Sequence, residues 1–130
     1  MILAAFLAMA AAAQEPEVDC DKAMAQFELN ACAYKEYERA DAAMNAQWKI
    51  TSAWMKEQDR EFDRSYDKRP GYFDSLLAAQ RAWLTYRDQH CVSEGYTMRG
   101  GSAEPMVING CKTQLTDART GQLKDLIQEY

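Results

Sequence analysis

Gln80-Arg81-Ala82-Trp83-Leu84-Thr85-Tyr86-Arg87-Asp88-Gln89-His90-Cys91 carries the pattern that decides the fold. Gln80, Trp83, Arg87 and Cys91 fall at i, i+3, i+7 and i+11, the repeat of one helix face. An amide, an indole, a guanidinium and a half-cystine on one stripe make sense only if the stripe is buried against polar partners. With Leu76 and Leu84 on the same face, the pattern predicts a helix from about Phe73 to Val92. Arg87 is expected to stack on Trp83 and to pair with a carboxylate such as Asp41 of a preceding helix, which would fix the register between the two. Gln80, Trp83, Arg87 and Asp41 are therefore read as structural residues. A ligand-gripping role for Arg87 is the rival reading.

Upstream, Tyr37, Met44, Trp48, Met55 and Phe62 recur at spacings of 7, 4, 7 and 7, one face of a long helix expected from Ala31 to about Lys68. Arg69-Pro70-Gly71 stops it. Downstream, the glycine-bearing stretch from Ser93 to Gly101 reads as a connection. Ser102 then reads as the N-cap of a last helix running to about Gln128, with Glu104 and Pro105 in its first turn. Asn109-Gly110 and Gly121 weaken that helix by about 1 kcal/mol per glycine relative to alanine. A local break is expected near Gly110, and Gly121 either weakens the helix or permits a close helix approach. No apolar-polar alternation lasts long enough for a strand. The expected fold is all-α: a small, disulfide-stapled antiparallel helical bundle or hairpin with one long helix.

The N-terminus, MILAAFLAMAAAAQ, is uncharged and almost wholly apolar. It closes on small residues and is too short to span a bilayer, as a secretory leader is. Residues 1–13 are read as a signal peptide cleaved after Ala13, leaving residues 14–130 as one domain. Glu17, Val18 and Asp19 are not the small, apolar residues that precede a lipid-bearing cysteine, so no membrane anchor is expected after cleavage. A small exported domain gains from covalent staples, and Cys20, Cys32, Cys91 and Cys111 supply them. Four cysteines allow three connectivities, and sequence alone does not choose. One unbroken helix would hold Cys20 and Cys32 about 18 Å apart. If instead Asp21 to Leu29 is a short helix and Asn30 caps the next, the chain folds back and the two can meet. Cys91 and Cys111 would then close the last interhelical connection, worth about 3 kcal/mol in the chain-entropy description.

The net charge of −5 disfavours nucleic acid and anionic lipid as partners and favours a basic protein in encounter rate. His90 is the sole histidine, and its neighbours Ser93, Cys91 and Ser102 sit in no nucleophile motif. It is read as a partly exposed residue near a helix C-terminus. Glu57, Asp59, Glu61 and Asp63 alternate with Lys56, Arg60 and Arg64, as on a solvated helix face. No phosphate loop, dinucleotide fingerprint or C-x-x-C is present, and neither enzyme activity, metal nor cofactor is expected.

The chain resembles the LprI-like lysozyme-inhibitor domains of bacterial envelopes. The resemblance runs from Cys20 to about Leu126. It rests on Cys20 with Gln26-Phe27-Glu28-Leu29-Asn30-Ala31-Cys32, and on Ala40-Asp41 followed by Met44-Asn45. Further along it rests on Leu77-Ala78-Ala79-Gln80-Arg81-Ala82-Trp83 with Tyr86-Arg87-Asp88 and Cys91, on Gly100-Gly101-Ser102 with Pro105-Met106, and on Cys111 with Leu115-Thr116 and Arg119. The lipid-bearing cysteine of the name-giving members has no counterpart here. The resemblance implies a periplasmic or secreted helical domain with paired cysteines that binds a lysozyme-type muramidase. The rival function is a periplasmic binding or scaffold module for another envelope protein or a cell-wall fragment. For inhibition, Glu94 to Ser102 has the parts: aromatic and thioether bulk, a guanidinium, a hydroxyl and glycines. Tyr96, Arg99 and Ser102 are the expected partner-binding residues.

Overall fold

The computed structural model describes residues 17–127. The expected leader, residues 1–13, lies outside the described residues, as does Gln128, the expected end of the last helix. Three helices account for most of the described chain: α1 (Gln26–Glu61), α2 (Tyr72–Gly95) and α3 (Glu104–Asp125). One 3-10 turn, Tyr96–Met98, follows α2. There is no strand among the described residues, and no described helix is long and apolar enough to cross a membrane.

α1 differs from expectation at both ends. No separate short helix spans Asp21 to Leu29. The chain turns at 19–22, where the Lys22 amide donates to the Asp19 carbonyl, and α1 then begins at Gln26 and runs unbroken through Asn30. Its first turn is capped by Glu28, whose carboxylate accepts from the Met24 and Ala25 amides at 3.0 and 3.1 Å. These two bonds hold the Glu28 carboxyl below its ordinary range. At the other end, α1 stops at Glu61, and Phe62 is already extended (φ −84°, ψ 126°). Asp63 is the reason: its side chain accepts from the Ser65 amide and hydroxyl, a local bond that competes with helix continuation. The first turn of α2 is capped from α1, since the Asp59 carboxylate accepts from the Tyr72 and Phe73 amides at 2.7 and 3.0 Å.

Contacts between helices give their directions. Asp59 meets Tyr72, Met44 meets Gln80 and Asp41 meets Arg87, so α1 and α2 are antiparallel. Cys91 joins Cys111 and Gln80 meets Arg119, so α2 and α3 are antiparallel too. α1 and α3, the first and last helices, therefore run parallel, with contacts from Asn30–Ser102 through Arg39–Asp117 to Thr51–Leu123. This is also the most extensive interface in the molecule. At 36, 24 and 22 residues the helices are about 54, 36 and 33 Å long.

The core is thin and mixed. Met44, Met55, Leu76 and Leu123 are its buried apolar residues, flanked by the partly buried Trp48, Trp54, Phe73, Trp83 and Leu84. Phe62, expected on the same stripe as Met44 and Met55, lies beyond the helix end and is exposed. Buried beside the apolar residues are Gln47, Thr51, Gln80, Arg87 and Thr116. Their hydrogen bonds tie helix to helix: the Thr51 hydroxyl donates to the Leu123 carbonyl at 2.9 Å and accepts from the Gln47 amide at 3.2 Å.

α3 begins one residue later than expected, with Ala103 as its N-cap, and runs without a break through Gly110 and Gly121. A Cβ at either glycine would meet nothing within 4 Å, so neither serves close packing. Gly110→Ala and Gly121→Ala should each raise stability by about 0.5–1 kcal/mol, through the helix preference of alanine and a less flexible unfolded chain. Urea denaturation followed by circular dichroism measures this, and a loss of stability in either variant would contradict the open space seen there.

Candidate partner-binding end

Arg87 is the centre from which the site is held. Its side chain is 6% exposed and touches all three helices. Nε donates to Asp88 at 3.0 Å, while Nη1 lies 3.4 Å from both Asp41 of α1 and the Thr116 hydroxyl of α3. The guanidinium also faces the Tyr37 and Trp83 rings, each at 5.3 Å. Burial pushes the Tyr37 phenol above its ordinary value, with the Arg87 charge opposing. The Gln80–Trp83–Arg87–Cys91 stripe thus faces inward and meets Asp41. Asp88 escaped the sequence reading because residues adjacent on a helix do not normally face each other; it reaches back along the surface to its neighbour.

Two disulfides lie near the same end of the bundle. Cys20 joins Cys32 with Cα atoms 5.7 Å apart, and Cys91 joins Cys111 at 5.5 Å. The first forms without the short helix expected for it: the 19–22 turn brings Cys20 back along α1, where Lys35 pairs with Glu17 at 3.3 Å. The second locks the end of α2 to α3, with both half-cystines buried.

Between these fixed points runs the segment 94–102. Gly95 is buried, and a Cβ there would lie 2.4 Å from Ile108 Cγ1, so the absence of a side chain lets the end of α2 close onto α3. The 3-10 turn follows, and Gly100 then takes φ 76°, a left-handed conformation natural to glycine. The Gly100 amide donates to the Glu104 carboxylate at 2.8 Å, and the Gly101 amide to the Met98 carbonyl at 2.9 Å. From α1, the Asn30 amide group donates to the Ser102 carbonyl at 2.9 Å. Asn30 is therefore a brace for this segment and not a helix cap. Ser102 caps no helix, because Glu104 already turns back to bond the loop; its hydroxyl side chain is exposed.

Tyr96, Met98 and Arg99 are exposed, and the Arg99 guanidinium lies 4.4 Å above the Tyr96 ring, pre-forming a flat cationic-aromatic surface. The segment is near the start of α1, where Met24 and Phe27 are 87% and 71% exposed. Neither was singled out from the sequence. Phe27 sits one position off the inward face, and Met24 precedes the helix, where apolar periodicity carries no signal.

His90 lies one turn inside α2, stacked on Tyr86 with ring centroids 5.3 Å apart and Nε2 3.6 Å from the Glu94 carboxylate. Glu94 and Cys111 approach it closely enough to form a ligand-like cluster. The Cys111 sulfur is held in the disulfide, so it offers no thiolate to a metal or a substrate.

The profile of the lysozyme inhibitor LprI family matches residues 19–123, nearly the whole of the described helical domain. The chain belongs to the LprI lysozyme-inhibitor family. An uncharacterized protein of Rhizobium meliloti (strain 1021) is 43% identical over 116 residues, covering 89% of this chain and 84% of that protein. No solved structure matches the chain. Membership of the LprI family together with two disulfides indicates an extracytoplasmic protein.

Truncating the stripe should damage the fold ahead of any binding. Arg87→Ala removes a guanidinium that fills space among three helices and satisfies Thr116 and two carboxylates. Asp41 and Asp88 are partly exposed and can be solvated, so the cost is mainly packing and should be about 2–4 kcal/mol. Thermal unfolding checks it: a parent-like melting temperature with loss of partner binding would make Arg87 a binding residue.

Proposed function

We propose that the protein binds a lysozyme-type muramidase and blocks its cleft with the 94–102 segment. The observation that carries this is the braced, exposed Tyr96–Arg99 pair. It is held by a buried disulfide on one side and by Asn30 and Glu104 on the other, and it projects from a domain of the lysozyme-inhibitor family. A muramidase of this type works with two carboxylates in a cleft, one kept protonated by apolar surroundings. An inhibitor must fill that cleft and offer donors to those carboxylates. Arg99 supplies a guanidinium, Ser102 a hydroxyl and Tyr96 an amphipathic ring. Because the segment is fixed before contact, little conformational entropy is lost on binding. The net negative charge would speed approach to a basic lysozyme.

The exposed Met24 and Phe27 favour a second reading, in which this end is a docking surface for another envelope protein. The two readings separate in a turbidity assay of cell-wall lysis. Inhibition by the parent is expected, together with at least a tenfold weaker effect from the Tyr96→Ala/Arg99→Ala/Ser102→Ala variant, an estimate of about 1.4 kcal/mol or more from truncated central contacts. Circular dichroism should show the variant folded, since all three side chains are exposed. A folded variant that inhibits as well as the parent removes the segment from the mechanism. A parent inactive against every lysozyme type tested removes the inhibitor reading. Added salt should slow association much more than it speeds dissociation.

A further inference from the structure

At the opposite end of the bundle, a distance of about one α2 length (some 36 Å) from the 94–102 segment, lies a second feature unrelated to the first. The end of α1, the 62–71 connection, the start of α2 and the end of α3 enclose a cleft of about 680 Å³, within the size range of small-molecule sites. Met55 and Leu76 form its buried floor, and Phe62 and Leu126 are exposed walls.

The charge of the cleft runs against that of the molecule. In a chain of net charge −5, three guanidiniums line it, those of Arg64, Arg69 and Arg119, against a single carboxylate, Asp67. Asp67 is already committed to Arg69, with bonds of 2.6 and 2.9 Å. Arg119 is the unusual member. Its Nε donates to Gln80 at 2.9 Å and its Nη1 to Gln122 at 3.1 Å, both neutral acceptors. Its Nη2 is buried without a hydrogen-bond partner among the described residues. No described carboxylate pairs with it. A partly buried cation beside an apolar floor, with no described carboxylate against it, is an incomplete arrangement, because desolvation of the charge is offset only by two amides and the Trp83 ring at 5.9 Å.

We propose that this cleft binds a single-chain carboxylate amphiphile of the long-chain fatty-acid class, its acyl chain over Met55, Leu76, Phe62 and Leu126 and its carboxylate at Arg119. The apolar floor selects a chain. The cationic lining selects an anion. Arg119 Nη1, bonded only to the exposed Gln122 side chain, keeps a second N–H with which to donate a charge-assisted hydrogen bond to a carboxylate. The limited volume selects one chain over a two-chain lipid.

The test is fluorescence titration of the purified protein with cis-parinarate, followed by displacement with laurate, dodecanol and acetate. Laurate should displace the probe, dodecanol should do so about tenfold less well or worse, and acetate not at all, as expected for a charge-assisted bond added to chain burial. Arg119→Gln should weaken laurate about tenfold and leave dodecanol unchanged. Ala79→Trp, at an exposed α2 position on the cleft wall, fills the space without entering the core and should abolish displacement by both. Circular dichroism confirms folding of each variant. No parinarate binding, equal displacement by laurate and dodecanol, or full binding in folded Ala79→Trp would overturn the proposal. So would binding that appears only after residues 128–130 are removed, since the cleft would then belong to the chain's own end. The Tyr96→Ala/Arg99→Ala/Ser102→Ala variant should bind parinarate like the parent, whatever it does to a lysozyme.

Discussion

One buried guanidinium sets the terms for the rest of the molecule. Arg87 can stay in the interior only if each helix presents it with something suitable at the same level: Asp41 and the Tyr37 ring from α1, Asp88 and the Trp83 ring from α2, the Thr116 hydroxyl from α3. Such a group contributes little net stability, because its desolvation offsets its attractions, but it penalises every register in which a partner is missing. Around it the core is economical in apolar residues. Thr51, Gln47, Gln80 and Thr116 are buried with specific hydrogen-bond partners, so the helices are indexed against one another by directional bonds as much as by packing.

The part of the fold visible in the sequence is the part that obeys periodicity. The α2 stripe repeats without interruption from Leu76 to Cys91, and its polar members announce an interior with polar partners; the Asp41 contact follows from that logic. The middle of α1 is legible for the same reason. Its ends are not. At the start, Asn30 has the composition of a cap, yet the actual cap is a Glu28 carboxylate reaching back to two amides, and the Asn30 side chain is taken up by a carbonyl 72 residues away. At the finish, the charged run 56–64 looks helical throughout until Asp63 diverts into a turn with Ser65. Ser102 fails as a cap because Glu104 is already bonded to Gly100. At Glu28, Asp63 and Glu104 the deciding bond is to a partner within four residues, and at Asn30 it is a tertiary contact. Of the candidate binding residues, Tyr96 and Arg99 could be found from composition, whereas their mutual stacking and the exposure of Met24 and Phe27 depend on where α1 begins. Arg119 gave no warning of its place in a cleft, because the cleft is assembled from all three helices.

The two ends of the bundle are built differently. Both disulfides, the Gly95–Ile108 approach and the Asn30 brace are gathered where α1 starts and α2 finishes, which leaves the 94–102 segment little freedom. The other end is held by Asp59 on the first amides of α2 and by Thr51 on the Leu123 carbonyl, with no covalent tie. Local opening is therefore easier there, around the connection 62–71, than at the stapled end.

The parallel pairing of α1 with α3 bears on how the chain reaches its native state. A chain made from its N-terminus presents α1 first, yet the partner that covers most of α1 is the last helix to emerge. Until then the Met44, Trp48 and Met55 face of α1 has only α2 to shelter it, and the nascent protein is at its most vulnerable to proteases and to association with other chains. The cysteines divide along the same clock. Cys20 and Cys32 are neighbours as soon as α1 begins to form, so an oxidant can join them early. Cys91 must wait for Cys111 and for the closing of the final corner, which makes that second bond the covalent record that folding has finished.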